Sequence, residues 1–516
     1  MMRATAALNE VVAPMSGFRD SPDERARGAL ATRLTLVTRS IAALALGAAG
    51  CLAACVSFTP PYEAPPLPVA PQYPPGTATG ETEAPRAAEL DWRHYFADPE
   101  LQRLIDTALD NNRDLRIAIA RVEEARATYG IRRADAFPTI GVQADLSRAR
   151  VPADLSGIGV PVTATQYQAG IGLSTWELDF WGRVASLNDA ALQTYLATDA
   201  ARRATELTIV AQVAENYLNL CELDERLALT QATIDSRAHS YRLYRHRYEV
   251  GATSRLDLTQ VETLLHQAQT LGAQLKQARA TQAHALALVV GAPVELPDSG
   301  LRLDDGVMPQ EVFAGLPSDL LIDRPDIVSA EFELRAANAN IGAARADFFP
   351  RITLTGQLGT ASASLDSLFT GPSRAWSFGP SVSLPIFDMG RRQAQLEVTQ
   401  ARQEQAVASY EKAVQSAFRD VADAITARTW LAEQLDVLRA SVATQAERSA
   451  LAQQRYDHGA APFLEVLDAQ RDQLSAQQQL VQTHRALLSS RVTLFTALGG
   501  GSRAAAASSA SEPVAR

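Results

Sequence analysis

Three cysteines and seven histidines are the side chains with which this 516-residue chain could hold a metal, form a disulfide or attack a substrate. Their spacing allows little of that. His239 and His246 share a helix face, but they lack the closer spacing and the acidic partner of a metal-hydrolase helix and read as solvated. Gly170 and Gly172 fall inside a strand-like segment with no third glycine, so they signal no phosphate loop. Cys221 stands alone in a helical stretch, where a thiol is most often a small core residue. No catalytic constellation, cofactor or metal site is expected, and without a nucleotide site the chain has no energy source of its own.

One thiol has a chemical setting. Arg33 and Arg39 precede an uncharged run from Ser40 to Cys55, too short and too early for a mature membrane span, which reads as an export signal over residues 1–54. Leu52-Ala53-Ala54-Cys55 has the small-residue cleavage pattern of a bacterial lipoprotein box, making Cys55 the expected lipid attachment site. Cys51, after Ala48-Ala49-Gly50, fits less well, and an ordinary secretory signal with incidental cysteines is the alternative. Residues 1–36 are odd for a signal, which puts the expected start near Val37. The proline-rich stretch at 55–90 reads as an extended, lipid-anchored tether, and 501–516 as a disordered tail. A formal charge of -10, with no basic stripe interleaved with aromatics, argues against a nucleic-acid partner.

The elements between these ends are written twice. Arg247 to Gly291 matches Arg455 to Gly499 at an offset of 208, with a Tyr-x-x-Gly break in each, and Arg132 to Leu146 matches Ala344 to Leu358 at an offset of 212. The chain is therefore a tandem duplication, with units at 91–291 and 322–500 and a proline- and glycine-rich joint at 292–321. Each unit predicts a helix of about 25 to 35 residues ending at Phe-Pro (Phe137-Pro138, Phe349-Pro350), two strands, a very long helix, the break, and a second long helix.

The four strand segments alternate with period two. Ile140, Val142, Ala144 and Leu146 oppose Gly141, Gln143 and Asp145; Tyr167, Ala169, Ile171 and Leu173 oppose Gln168, Gly170 and Gly172. Ile352, Leu354 and Leu358, then Trp376, Phe378, Val382, Leu384 and Ile386, repeat the pattern against Thr, Gln, Ser and Gly. Segments of about ten residues cross a bilayer when tilted, with apolar side chains to lipid and polar ones to a lumen. A soluble sheet packed on helices would alternate likewise. Four strands cannot close a membrane barrel, so either the sheet is soluble or several chains share one barrel.

The helices favour the shared barrel. The stretch from Gly182 to Arg247, about 65 residues without an internal breaker, would extend about 95 Å. Leu467, Leu474, Val481, Leu488 and Phe495 recur every seven residues, a narrow coiled-coil seam. At the breaks, Gly251 and Gly459 suit a left-handed helix end, Ser254 with Asp257 resembles a capping box, and Pro462 fits the first turn of the next helix.

The stretches "WRHYFADPELQRLIDTALDNNRDL" from Trp92, "WELDFWGR" from Trp176, "GLPSDLLIDRPDIVSAEFELRAANANIGAARADFFP" from Gly315 and "FLEVLDAQRDQLSAQQQLVQTHRALLSSRVTLFTALGGG" from Phe463 resemble the TolC-type outer-membrane channels. Among these they are similar to the NodT-type lipoprotein branch that serves multidrug efflux. The resemblance spans about residues 90 to 500. It implies a mainly α fold with a small membrane β part: a homotrimer whose four strands per chain make a 12-stranded β-barrel continuing into a long α-helical barrel.

The resemblance also implies a passive duct to the outside for drugs or other small molecules, joined by a periplasmic adaptor to an inner-membrane RND-type transporter. Val250, Gly251, Ala252, His458, Gly459 and Ala460 match adaptor-docking turns. Asp257, Glu465 and Asp468 fall where related channels place constriction carboxylates, with Leu464 in a neighbouring apolar ring. Ala461 replaces an arginine of the type member, so its gate salt bridge does not carry over. Asp257 and Glu465 also have a place as acids at helix N-termini, whereas Asp468 lies beyond the first turn. A duct for type I protein secretion and a non-conducting coiled-coil scaffold lipoprotein are the alternatives.

Overall fold

The computed structural model describes residues 57–70, 73, 86–297, 299–308, 312 and 317–503. The expected signal, Cys51 and Cys55 lie outside these residues. After a short helix α1 (Trp92–Tyr95) come α2 (Pro99–Asn111) and α3 (Arg113–Ala134). Then follow the hairpin β1 (Ile140–Val151) and β2 (Val162–Glu177) and the long helices α4 (Arg183–Glu249) and α5 (Arg255–Val290). The second copy repeats this order. A short α6 (Leu320–Asp323) leads into α7 (Pro325–Ala346), β3 (Arg351–Ser362), β4 (Arg374–Ser383), α8 (Arg391–Asp457) and α9 (Phe463–Ala497).

The helix before each hairpin is shorter than the sequence suggests. Asn112 caps α3 by accepting from the amides of Asp114 (2.8 Å) and Leu115 (3.0 Å), which separates it from α2. At the other end α3 stops at Ala134, and the amides of Ala136 and Phe137 close turns onto Arg133 and Ala134 before Pro138. Helices α4 and α8 each run 67 residues, about 100 Å at the α-helical rise. All five heptad positions of α9 are buried, as are Val261, Ala268 and Leu275 of α5. The waist holds the main core. Tyr95, Phe96, Leu101 and Ile105 pack there under Val213 and Leu218 of α4, Val421 and Ile425 of α8, and Leu488 and Phe495 of α9. Phe495 stacks on Tyr95 with ring centroids 4.2 Å apart. Cys221 lies in this core, where burial pushes its thiol up to about 12.

The joint between the copies is fastened to the waist: Leu301 and Leu303 donate backbone N–H to Asp224 and Glu225 of α4. The first residues of the expected tail are tied to the fold. Gly501 donates its N–H to Ala87, and Arg503 pairs with Asp323 at 2.6 Å, so 501–503 belong to the folded end. The tether is likewise not free along its length. Phe58 stacks on Phe349 (4.5 Å), which stacks on Trp181 (5.1 Å), and Asn338 donates to the carbonyl of Pro60. Ala87–Glu89 forms a 3-10 turn with Ala87 and Ala88 buried.

The sheet is antiparallel in the order β1-β2-β3-β4. Val142 faces Ile171, Ile171 faces Leu358, and Leu358 faces Trp376, so the expected alternation puts one apolar row across all four strands. That row has nothing over it: Val142 is 85% and Trp376 77% exposed. Among the described residues no helix covers this apolar row, unlike the soluble sheet packed on helices that the alternation alone would also allow. On the reverse face Gln168 donates to Gln357 at 2.7 Å among Gln, Ser, Thr and Gly. Strands β1 and β4 are free edges.

Candidate gate and docking surface at the hairpin tips

The ends of α4 and α8, remote from the sheet, turn through Gly251 (φ +74°) and Gly459 (φ +72°). A Cβ at either glycine would meet nothing within 4 Å, so the requirement is the left-handed backbone and not close approach. Val250, Gly251, Ala252, His458, Gly459 and Ala460 are all exposed. They form two blunt, weakly polar turns.

The start of α5 is closed by a capping box. Ser254 Oγ accepts from the Asp257 amide (3.1 Å) while Asp257 Oδ2 accepts from the Ser254 amide (3.3 Å) and from the Ser254 (2.7 Å) and Thr253 (3.1 Å) hydroxyls. The Ser254 hydroxyl first, then that of Thr253, holds the Asp257 carboxyl below the usual aspartate range. This carboxylate is engaged in ending a helix. In the second tip Pro462 is the N-cap itself, one position before the helix and not in its first turn, and no side chain caps α9.

The other acids are paired. Glu465 accepts from Arg455 Nη1 at 2.6 Å across the turn, and Asp468 pairs with Arg471 (3.1 Å), which also reaches Asp472 (3.1 Å). Asp472 is bonded to Arg448 as well (2.8 Å), and Arg448, then Arg471, lowers its carboxyl below the ordinary range. Leu464 is half-exposed on the turn below Asp468, at i and i+4 of one helix face. Leu464, Glu465 and Asp468 thus share one surface, with the two acids as exposed ion pairs and not bare carboxylates. Asp257 belongs to the neighbouring tip.

Sequence reasoning missed the contact that joins the tips. Tyr244 Oη lies 2.9 Å from Tyr456 Oη, and Arg247 donates to the same Tyr456 oxygen. Phe463 stacks on Tyr244 (4.7 Å) and tilts against Tyr456 (4.8 Å), over buried Val261 and Leu467. Burial, then the bond to Tyr456, raises the Tyr244 phenol. Two hairpins about 100 Å long are therefore pinned together at their free ends by four side chains. The Tyr-x-x-Gly break contained half the signal, since Tyr456 opens the second motif. His239 and His246 are exposed, and no group of three metal-ligating side chains occurs among the described residues.

An exposed apolar sheet face on two hundred-ångström hairpins is the shape of one segment of a membrane tube. The family model of outer membrane efflux proteins matches residues 104–292 and again 316–500. The chain belongs to the outer membrane efflux protein family. The model thus matches the chain twice, as a duplicated chain should be matched. The solvent efflux pump outer membrane protein SrpC of Pseudomonas putida is 43% identical over 456 residues, covering 86% of this chain and 95% of that protein. OprJ of Pseudomonas aeruginosa is 43% identical over 453 residues, 87% of this chain and 94% of its own length. Among solved structures, the open state of the Neisseria gonorrhoeae MtrE outer membrane channel superposes with a TM-score of 0.79 at 38% identity, over 87% of this chain and 99% of that one. This family member is an outer-membrane efflux channel protein, as the resemblance led one to expect, and its sheet is the membrane part.

Proposed function

We propose that three copies of this chain form the exit duct of a tripartite pump for drugs or other small molecules, driven by an RND-type transporter of the inner membrane through a periplasmic adaptor. The observation that carries the trimer is the four-stranded sheet with two unpaired edges and an apolar face. Unpaired edges cannot stand in hydrocarbon, and three such sheets supply twelve strands, within the range of membrane barrels. The duct is passive and has no catalytic role. Relatives named for solvent, toluene and antibiotic efflux support small-molecule cargo.

Cys55 is the proposed lipid anchor. Phe58, three residues later, is held on Phe349, which itself stacks on Trp181 where helix meets strand, at the height where an acyl chain would enter the inner leaflet. The exposed turns at Val250–Ala252 and His458–Ala460 are the proposed docking surface for the adaptor. Leu464, Glu465 and Asp468, repeated by threefold symmetry, are the proposed constriction, with Asp257 acting there mainly as the cap that fixes the neighbouring tip. Because Asp468 is neutralised by Arg471, its loss leaves an unbalanced cation in the ring.

The test is single-channel conductance of the detergent-extracted protein in a planar bilayer. The expected result is stepwise opening with cation preference, and a reduced cation preference in Asp468→Ala. A channel whose selectivity and conductance ignore that substitution removes Asp468 from the constriction, and a protein that stays silent even when Tyr244 and Phe463 are both replaced by alanine is not a duct.

A further inference from the structure

The lipid-facing side of the sheet ends in arginines. Ile140, Val142 and Leu146 of β1 share their face with Arg148 and Arg150, which sit at the end remote from the helices, opposite Thr165 and Thr163 of β2. On β4 the same face carries Phe378, Trp376 and, at its far end, Arg374, opposite Thr360. All three arginines are exposed, and none has an ion-pair or hydrogen-bond partner for its guanidinium among the described residues. Asp145 is on the opposite face, and the Asp366 carboxyl is held by Ser364 and by backbone of its own turn.

Their height follows from the strands. Arg148 is eight positions beyond the first residue of β1 and Arg374 nine before the last of β4. At the strand rise and a barrel tilt of about 40° both stand about 20 to 25 Å above the helical end, the height of an outer-membrane apolar band. Tyr167 and Trp376 lie one step inward on the same face, as aromatic residues do at a bilayer boundary. The arginines thus sit in the headgroup layer of the outer leaflet.

β1 and β4 are the sheet's free edges. Resting on the trimeric reading above, closure pairs β4 of one copy with β1 of the next, so that Arg374 comes beside the adjacent copy's Arg148 and Arg150. Three guanidiniums then meet at every seam with no carboxylate on their own strand faces, the nearest acids being Asp154 and Asp366 in the adjoining turns, and this excess of cations is unfavourable unless a further anion joins them. Guanidinium forks match phosphate oxygens in paired bonds. We propose that each seam binds the phosphates of an outer-leaflet phosphorylated glycolipid, which bridges two subunits of the channel.

The test uses the full-length trimer in a neutral detergent, with its subunit mass and dissociation temperature measured alone and with added diphosphorylated lipid A, lipid A stripped of both phosphates, or phosphatidylglycerol. Native mass spectrometry counts bound lipid. The expected result is a raised dissociation temperature with diphosphorylated lipid A only, and at least a tenfold loss of affinity in Arg148→Gln/Arg150→Gln/Arg374→Gln. Arg374→Gln alone, a gentler change at the strand end, is expected to give part of that loss, and Arg351→Gln at the opposite end none. Equal binding by wild type and variants, indifference to phosphate, or an equal response to phosphatidylglycerol overturns the proposal. A protein that is monomeric before any lipid is added overturns the trimer itself.

Discussion

The two hairpin tips occupy equivalent places in a duplicated chain, yet they are closed by different physics. At the same offset, Asp257 corresponds to Glu465, Ser254 to Pro462, Arg255 to Phe463, Tyr248 to Tyr456 and Arg247 to Arg455. The first tip ends its turn with side chain to backbone bonds, Ser254 and Asp257 satisfying each other's amides. The second has no side-chain cap and relies on an ion pair, Arg455 to Glu465, and on a phenyl ring driven under the tyrosines. Arg247 reaches across to Tyr456, whereas Arg455 stays within its own hairpin. Duplication preserved the shape of the tips and let their chemistry separate, so that one tip is a rigid post and the other is held by what it touches.

The comparison breaks first at Phe463. Phe463→Ala removes the ring packed between Tyr244 and Tyr456 and is expected to cost about 3 kcal/mol at the tip, a drop of about a hundredfold in amide protection there. Arg255→Ala, its exposed counterpart, is expected to change protection by less than about twofold. Hydrogen exchange on the assembled channel reads both, and equal effects would mean that the aromatic pin does not hold the tips. Replacing the turn glycines supplies the case in which the difference should vanish. Gly251→Ala and Gly459→Ala each force an alanine into the left-handed region and are each expected to cost about 1 to 2 kcal/mol. A large inequality between them would show that one turn has an alternative path.

The cap gives the next contrast. Ser254→Ala is expected to loosen the first turn of α5 by about 1 kcal/mol, while Pro462→Ala in the second tip removes no capping bond and leaves protection in the first turn of α9 nearly unchanged. Comparable fraying of the two helices would remove the capping box as the distinguishing device.

Much of this was legible from residue types alone. The heptad in α9, the period-two strands, the glycine turns and the Ser254–Asp257 box are local patterns, and local patterns are what periodicity and capping rules detect. Asn112 was not read as a helix start because the apolar pattern runs through it; only the amides of Asp114 and Leu115 on its side chain reveal the break. The Tyr244–Tyr456–Phe463 pin joins residues about 210 apart in sequence and has no signature shorter than that distance. Tyr456 is in the repeated break of the second unit, but its partner is Tyr244, one turn before the equivalent Tyr248, which points outward. The pairing of Glu465 and Asp468 with arginines was equally hidden, since Arg455 lies on the far side of a turn whose geometry the sequence does not state.

Acid should act on the first tip through its cap. The Asp257 carboxyl is held below the usual value by the Ser254 and Thr253 hydroxyls. A depressed folded value contributes stability that is present above the unfolded value of about 3.9 and is lost as pH falls through the folded one. Protection of the first turn of α5 is therefore expected to be flat from neutral pH down to about 4 and to fall below it, once corrected for intrinsic exchange. In Ser254→Ala this acid step should shrink, because the hydroxyl that lowers the carboxyl is gone. The second tip has no carboxylate bound to helix-end amides, and its Arg455–Glu465 contact is an exposed ion pair of the kind that contributes little. Its first turn should fray less over the same range. An equal acid response at both tips, or an acid step in the first tip that survives Ser254→Ala unchanged, would leave the capping box without its titrating role.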